Sequence, residues 1–167
     1  MKLIVRACLI SVGLLCTYSL FGKKLKIGTS APDFTLHDET GQAHTLSALR
    51  GSRVALYFYP KDFTPGCTKQ ACSIRDDFSK LKEKNITIFG MSTDSDTSHK
   101  QFQDKYELPF HLLSADKKTT KNYGVYGRLF TSRNTFLIDE KGIIVGIIKN
   151  VDVDDHAQQI IDGFEKS

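Results

Sequence analysis

The run Val54-Ala-Leu-Tyr-Phe58, continuing as Tyr59-Pro-Lys-Asp-Phe-Thr64-Pro-Gly-Cys67-Thr-Lys-Gln70-Ala-Cys72, joins an apolar strand to an amphipathic helix. Val54 to Phe58 is β-branched and aromatic and stops at Pro60, the pattern of a buried strand. Past Pro65-Gly66, the residues Cys67, Ala71, Ile74, Phe78 and Leu81 recur at spacings of four, three, four and three. That is one stripe of a helix, expected over about 66–84. Cys67 then stands in the first helical turn, where free backbone N–H groups and the helix dipole favour a thiolate.

Outward from this segment the chain alternates. Residues 34–36 and 43–46 flank Asp38-Glu-Thr-Gly41 and predict a hairpin. Ile86 to Met91 predicts a second buried strand, followed by a helix capped by Asp94 or Ser95 and stopped before Pro109. Residues 110–113 read as extended, 117–123 as a short helix ended by Gly124, 135–138 and 143–148 as a hairpin, and 154–165 as a last helix. Strand–helix–strand–helix followed by a hairpin and a helix predicts an α/β fold, a mixed central sheet covered by helices on both faces. With its N-terminal β-hairpin, this order resembles the thioredoxin-like fold.

The chain has 167 residues, enough for one domain with a substantial core. Its net charge of +4 comes from Lys2, Arg6, Lys23 and Lys24; the remaining acidic and basic side chains balance. A neutral body without a basic run argues against nucleic-acid binding. Residues 1–24 stand apart: Lys2 and Arg6 precede an apolar stretch from Leu9 to Phe21, which reads as a signal peptide or membrane-tethering leader. Export to the periplasm or membrane tethering is the favoured localisation, with a cytoplasmic protein as the alternative. The domain is expected over 25–167.

Of the four cysteines, two lie in that body, Cys67 and Cys72. Two are too few for a disulfide scaffold or, with no histidine pair beside them, for a zinc site. His99, His111 and His156 are scattered and read as surface or half-buried side chains rather than ligands. Redox chemistry is what remains. A thiol near its ordinary pKa of about 8.5 is mostly protonated at neutral pH, so a nearby guanidinium would help. Arg133, just before the apolar strand 135–138, is the candidate. Thr64, three residues before Cys67, could hydrogen-bond a thiolate or a peroxide oxygen, or serve only as a helix N-cap. Pro60 could shield the sulfur or merely end the strand.

On an ideal helix Cys72 points roughly 140° away from Cys67, and their Cα atoms lie about 8.7 Å apart. A disulfide generally needs less than about 7 Å. The pair can therefore bond only if the helix unwinds locally, which predicts a helical reduced form and an opened oxidised form.

Pro60-x-x-x-Thr64-x-x-Cys67 followed by Cys72, with Arg133 before Thr-Phe-Leu-Ile-Asp, closely resembles the peroxiredoxin Q (bacterioferritin comigratory protein) family. Ala31-Pro-Asp-Phe-Thr-Leu, Tyr59-Pro-Lys and Ser98-His-Lys are similar to the same family, and the likeness runs from residue 28 to about 165. The resemblance implies a peroxidatic Cys67 that reduces hydrogen peroxide or organic hydroperoxides, and a resolving Cys72 that forms an intramolecular disulfide. It further implies a thioredoxin-like reductant, Thr64 and Arg133 orienting the peroxide, and no metal or organic cofactor. A monomer is expected because no further cysteine of the body is left for an intersubunit bridge. Two departures stand out: Gln70 where many relatives carry glutamate, and a short Tyr126–Ser132 segment. The competing readings are a general thiol–disulfide oxidoreductase, disfavoured because such sites use Cys-x-x-Cys, and a structural disulfide in an exported binding domain. The five-residue span closes too small a loop for the latter to stabilise much.

Overall fold

The structure, a computed structural model, describes residues 25–167; the proposed leader lies outside the described residues. The chain runs β1 (Thr35–His37), β2 (Ala43–Thr45), a 3-10 turn (Leu46–Leu49), β3 (Arg53–Phe58), α1 (Pro65–Asp76), α2 (Phe78–Glu83) and β4 (Ile86–Ser92). It continues with α3 (Asp96–Tyr106), β5 (His111–Ser114), α4 (Lys117–Asn122), β6 (Asn134–Ile138), β7 (Ile144–Ile148) and α5 (His156–Glu165).

β3 lies at the centre of a five-stranded sheet of order β5-β4-β3-β6-β7, parallel to β4 and antiparallel to β6. The mixed sheet expected from the element order is therefore present, with β1 and β2 forming a separate antiparallel hairpin. Both faces of β3 are covered, so beyond Arg53 its residues from Val54 to Phe58 are apolar at every position rather than alternating with polar ones. Val54, Leu56 and Phe58 enter one core with Leu36, Leu46, Tyr123 and Val125, the side of the hairpin and the α4 segment. Ala55, Tyr57 and Tyr59 enter the other, with Cys67, Ala71, Ile74, Leu81, Phe102 and Ile160 from α1, α2, α3 and α5. Gly90 on β4 is a close-approach position: a Cβ there would stand 2.6 Å from the Tyr57 hydroxyl.

One boundary differs from expectation. The single helix over 66–84 is two, broken at Asp77 (φ −107°, ψ 16°). A continuous helix would hold Asp76 and Asp77 in its interior, where aspartate is a poor helix former. The break places Asp77 at the start of α2, where an acidic group suits the dipole and pairs with Lys80 Nζ at 2.8 Å. The α3 cap is Ser95, whose Oγ accepts from Ser98 N at 3.2 Å.

Candidate active site

Cys67 is the third residue of α1, behind the N-cap Thr64 and Pro65-Gly66. Proline suits this first turn because its missing N–H would be unpaired there anyway. The thiol is 2 % exposed and unbridged; Cys72, on the same unbroken helix, is also free and is partly exposed. Arg133 enters from the start of β6, the strand beside β3, and its Nη2 donates to Cys67 Sγ at 3.3 Å. A Cβ on Gly66 would stand 3.4 Å from the same Nη2, an ordinary contact distance, so the guanidinium lies directly against the helix start.

The guanidinium is itself held. Its Nη1 donates to Gln70 Oε1, and Gln70 Nε2 sits 2.9 Å from His156 Nδ1. His156 Nε2 lies 3.0 Å from Thr135 Oγ1. The direction of each bond follows from the arginine, which only donates: Gln70 must accept with its oxygen and donate with its nitrogen. His156 Nδ1 is then the acceptor, and Nε2–H donates to Thr135. Burial, reinforced by the nearby Arg133 charge, pushes the His156 pKa down to about 3. A neutral imidazole is the form this chain of bonds requires.

The loop before Cys67 is equally constrained. Phe63 has φ +60°, a region a bulky side chain seldom occupies. Its ring packs edge-on against Phe102, with centroids 5.1 Å apart. Beside it, Asp62 N donates to Asp94 Oδ2 at 2.8 Å. The Asp62 carboxylate accepts from Tyr59 OH and Ser98 Oγ, both at 2.7 Å, and faces His99 Nδ1 at 2.9 Å. Burial raises the Asp62 pKa, but His99, Ser98 and Tyr59 outweigh it and hold the carboxyl below its ordinary value. The strained residue is thus held by its own ring and by the anchored residue before it.

Residues 27–147 match the AhpC/TSA family. The chain is 42 % identical over 146 residues to the peroxiredoxin bcp of Coxiella burnetii, covering 82 % of this chain and 97 % of the relative. It is 44 % identical over 136 residues to the chloroplastic peroxiredoxin Q of Sedum lineare, covering 79 % and 73 %. Among solved structures it is similar to peroxidoxin BcpB of Mycobacterium tuberculosis, with TM-score 0.79, 31 % identity, and 85 % and 97 % coverage. A cysteine-to-serine mutant of PrxQ from Xylella fastidiosa gives TM-score 0.80 at 28 % identity, covering 87 % and 98 %. The chain belongs to the peroxiredoxin Q type of the AhpC/TSA family.

As a peroxiredoxin it is a thiol peroxidase that acts on hydroperoxides, on a thioredoxin-like fold. Of the residues singled out in the sequence, the structure brings Cys67 and Arg133 into contact across 66 positions of chain. The Thr64 hydroxyl donates to Lys61 O at 3.0 Å and makes no cap bond to the helix. It is therefore neither an N-cap through its side chain nor a thiol partner here, although its oxygen keeps lone pairs. Pro60 follows Tyr59, whose N–H makes a last bond to Met91 O at 3.0 Å, so it does end the strand.

The histidine reading needs correction. His99 and His156 are both fully buried, each in a polar network; only His111 has a half-exposed side chain. Gln70 is marked in the sequence as a departure beside Cys67, but Thr135 and His156 carry no such signal, because 86 residues separate Gln70 from His156 and no local spacing links them. The one available signal was Gln70 lying three residues after Cys67 on the same side of the helix.

The Gln70 amide lets Arg133 keep its full charge for the sulfur. Gln70→Glu would pair that charge with a carboxylate and give His156 a proton partner. Its oxidation by hydrogen peroxide, followed by stopped flow, is expected to be about 3- to 10-fold slower at neutral pH, roughly 1 kcal/mol of barrier. An unchanged rate would mean that Arg133 does not act on the sulfur through its charge.

Proposed function

We propose that Cys67 is the peroxidatic cysteine and Cys72 the resolving one, with the resulting disulfide reduced by a thioredoxin-like dithiol. The observation that carries this reading is the Arg133 donor 3.3 Å from a cysteine sulfur in the first turn of a helix. A charge-assisted donor at a helix start favours an ionised, nucleophilic sulfur.

The Cys67 thiolate attacks the distal oxygen of the hydroperoxide. The S–O bond forms as the O–O bond breaks, and the departing alkoxide or hydroxide takes a proton and leaves as alcohol or water. Arg133 carries the charge as it passes from sulfur to oxygen. Thr64 Oγ1, donating to Lys61 O, accepts a hydrogen bond from the peroxide O–H and orients it. Pro60 walls the approach to the sulfur. The Cys72 thiolate then attacks the sulfenic sulfur, hydroxide leaves and is protonated to water, and a 67–72 disulfide forms.

The resolving step needs a change of shape, because α1 is continuous from Pro65 to Asp76 and Cys67 faces the core while Cys72 does not. The N-terminal part of α1 opens and the part beyond Cys72, held by the buried Ile74, stays. A thiol–disulfide oxidoreductase would instead hold its sulfurs within bonding range.

Stopped flow decides between them. The wild-type thiol is expected to react with hydrogen peroxide orders of magnitude faster than free cysteine. Cys72→Ser should keep that first oxidation, accumulate the Cys67 sulfenic acid in mass spectra, and lose turnover with a thioredoxin by about 100-fold or more. A first oxidation no faster than that of free cysteine would remove the peroxidatic role of Cys67. Continued turnover of Cys72→Ser would remove the resolving role of Cys72.

A further inference from the structure

On the opposite side of the sheet from Cys67, the β1–β2 hairpin closes over the start of β5 and gathers Asp38, Glu39, His44 and His111. We propose that Asp38, His44 and His111 bind a divalent transition-metal ion, with Glu39 beside His111 and solvent completing the shell, Zn²⁺ being the cation their donor set suits best.

The two oxygens of Asp38 have different surroundings. Oδ1 accepts from Thr40 N at 2.8 Å, Thr40 Oγ1 at 2.7 Å and Gln42 N at 3.0 Å, and so builds the hairpin turn. Oδ2 takes no backbone bond and faces two imidazoles, His44 Nε2 at 2.7 Å and His111 Nδ1 at 3.2 Å. His111 Nδ1 also faces Glu39 Oε1 at 2.9 Å. Asp38 Oδ2 and the two ring nitrogens thus converge on one point, and none of the three is tied to the backbone.

Charge points the same way. The side chains of Asp38 and Glu39 are 0 % and 1 % exposed, and their ion-pair partners among the described residues are only His44 and His111. Two buried carboxylates without a lysine or arginine leave negative charge to be compensated. Asp38 Oδ2, His44 Nε2 and His111 Nδ1 lie within 4.8 Å of one another. Tetrahedral zinc with bonds of about 2.0–2.1 Å needs donors about 3.3 Å apart, close to the 2.7 Å and 3.2 Å that separate Asp38 Oδ2 from His44 Nε2 and His111 Nδ1.

The supports are in place. Glu39 Oε2 accepts from Leu112 N at 3.0 Å and Oε1 from Gln103 Nε2 at 2.9 Å, fixing the carboxylate. The His44 ring stands edge-on to Phe89 with centroids 5.2 Å apart. His111, with its side chain 46 % exposed, provides the way in from solvent. The ion would tie the hairpin to β5 and leave the peroxidase site untouched.

The test titrates the reduced full chain with Zn²⁺ by calorimetry and with Co²⁺ by visible absorption. One ion per chain is expected, with tetrahedral d–d bands, no thiolate-to-cobalt charge transfer, and a raised unfolding temperature. His44→Ala and His111→Ala should each weaken binding by about 100-fold or more, and Glu39→Gln by about 10-fold. All three should react with peroxide at the wild-type rate, which shows that they fold. No saturable one-to-one uptake, uptake unaffected by both histidine variants, or a charge-transfer band revealing cysteine ligation would overturn the proposal.

Discussion

Arg133→Met is expected to slow oxidation of Cys67 by hydrogen peroxide about 10²- to 10³-fold, the effect of removing one preorganised charged donor from a developing anion, or roughly 3–4 kcal/mol of barrier. The methionine keeps an unbranched apolar stem that reaches about as far as the arginine Nε, so the loss reports chiefly the missing guanidinium, its charge and its hydrogen bonds. Two effects combine in it. The ground state loses the Nη2 bond to Sγ, and the transition state loses the charge that follows electrons onto the leaving oxygen. Arg133→Lys should recover little, because an ammonium cannot reach Sγ and Gln70 Oε1 together as the guanidinium fork does. Stopped-flow rates across pH check this, and a rate within twofold of wild type at every pH would rule the arginine out of the chemistry.

Acid should destabilise the protein through His156. Its folded pKa of about 3 lies below the unfolded value near 6.5. Between those pH values the unfolded chain binds a proton that the folded chain refuses, so stability is full above pH 6.5 and falls as pH drops toward 3. At about 1.4 kcal/mol per unit, this amounts to roughly 5 kcal/mol, a large share of the 5–15 kcal/mol typical of a domain. Asp38 adds to the loss at lower pH. Burial raises its pKa, but bonds from Thr40, His44 and Gln42 prevail and hold it at about 2. That contribution is present above the unfolded value near 4 and disappears toward 2. Denaturant titrations at a series of pH values are expected to show His156→Asn less stable at pH 7 but with a shallower decline between 6.5 and 3. Parallel declines for the two proteins would exclude His156 as the group responsible.

The two networks in this molecule differ in how they could be read. Asp62, Tyr59, Ser98 and His99 secure the loop ahead of Cys67, and Tyr59 and Asp62 fall within the decisive segment itself. Even so, nothing in that segment announced that Asp62 is buried, because burial depends on α3 arriving above it. The split between α1 and α2 is hidden for the opposite reason: the apolar stripe runs unbroken through it, and the preference of Asp77 for a helix start outweighs continuity.

Residue order alone settled those features that covalent geometry transmits over a few positions. A two-residue period with both parities apolar marked β3 as buried on both faces, and the four–three spacing put Cys67 at the helix start with Cys72 turned away. Folding in three dimensions decided what faces the sulfur. Arg133 reaches Cys67 because β6 pairs with β3, and His156 closes the chain of bonds behind it because α5 packs on the same side of the sheet. Likewise His44 and His111 meet only where the hairpin folds onto β5. Strand order and helix docking are set by the summed burial of many side chains, and no local spacing in the chain records that sum.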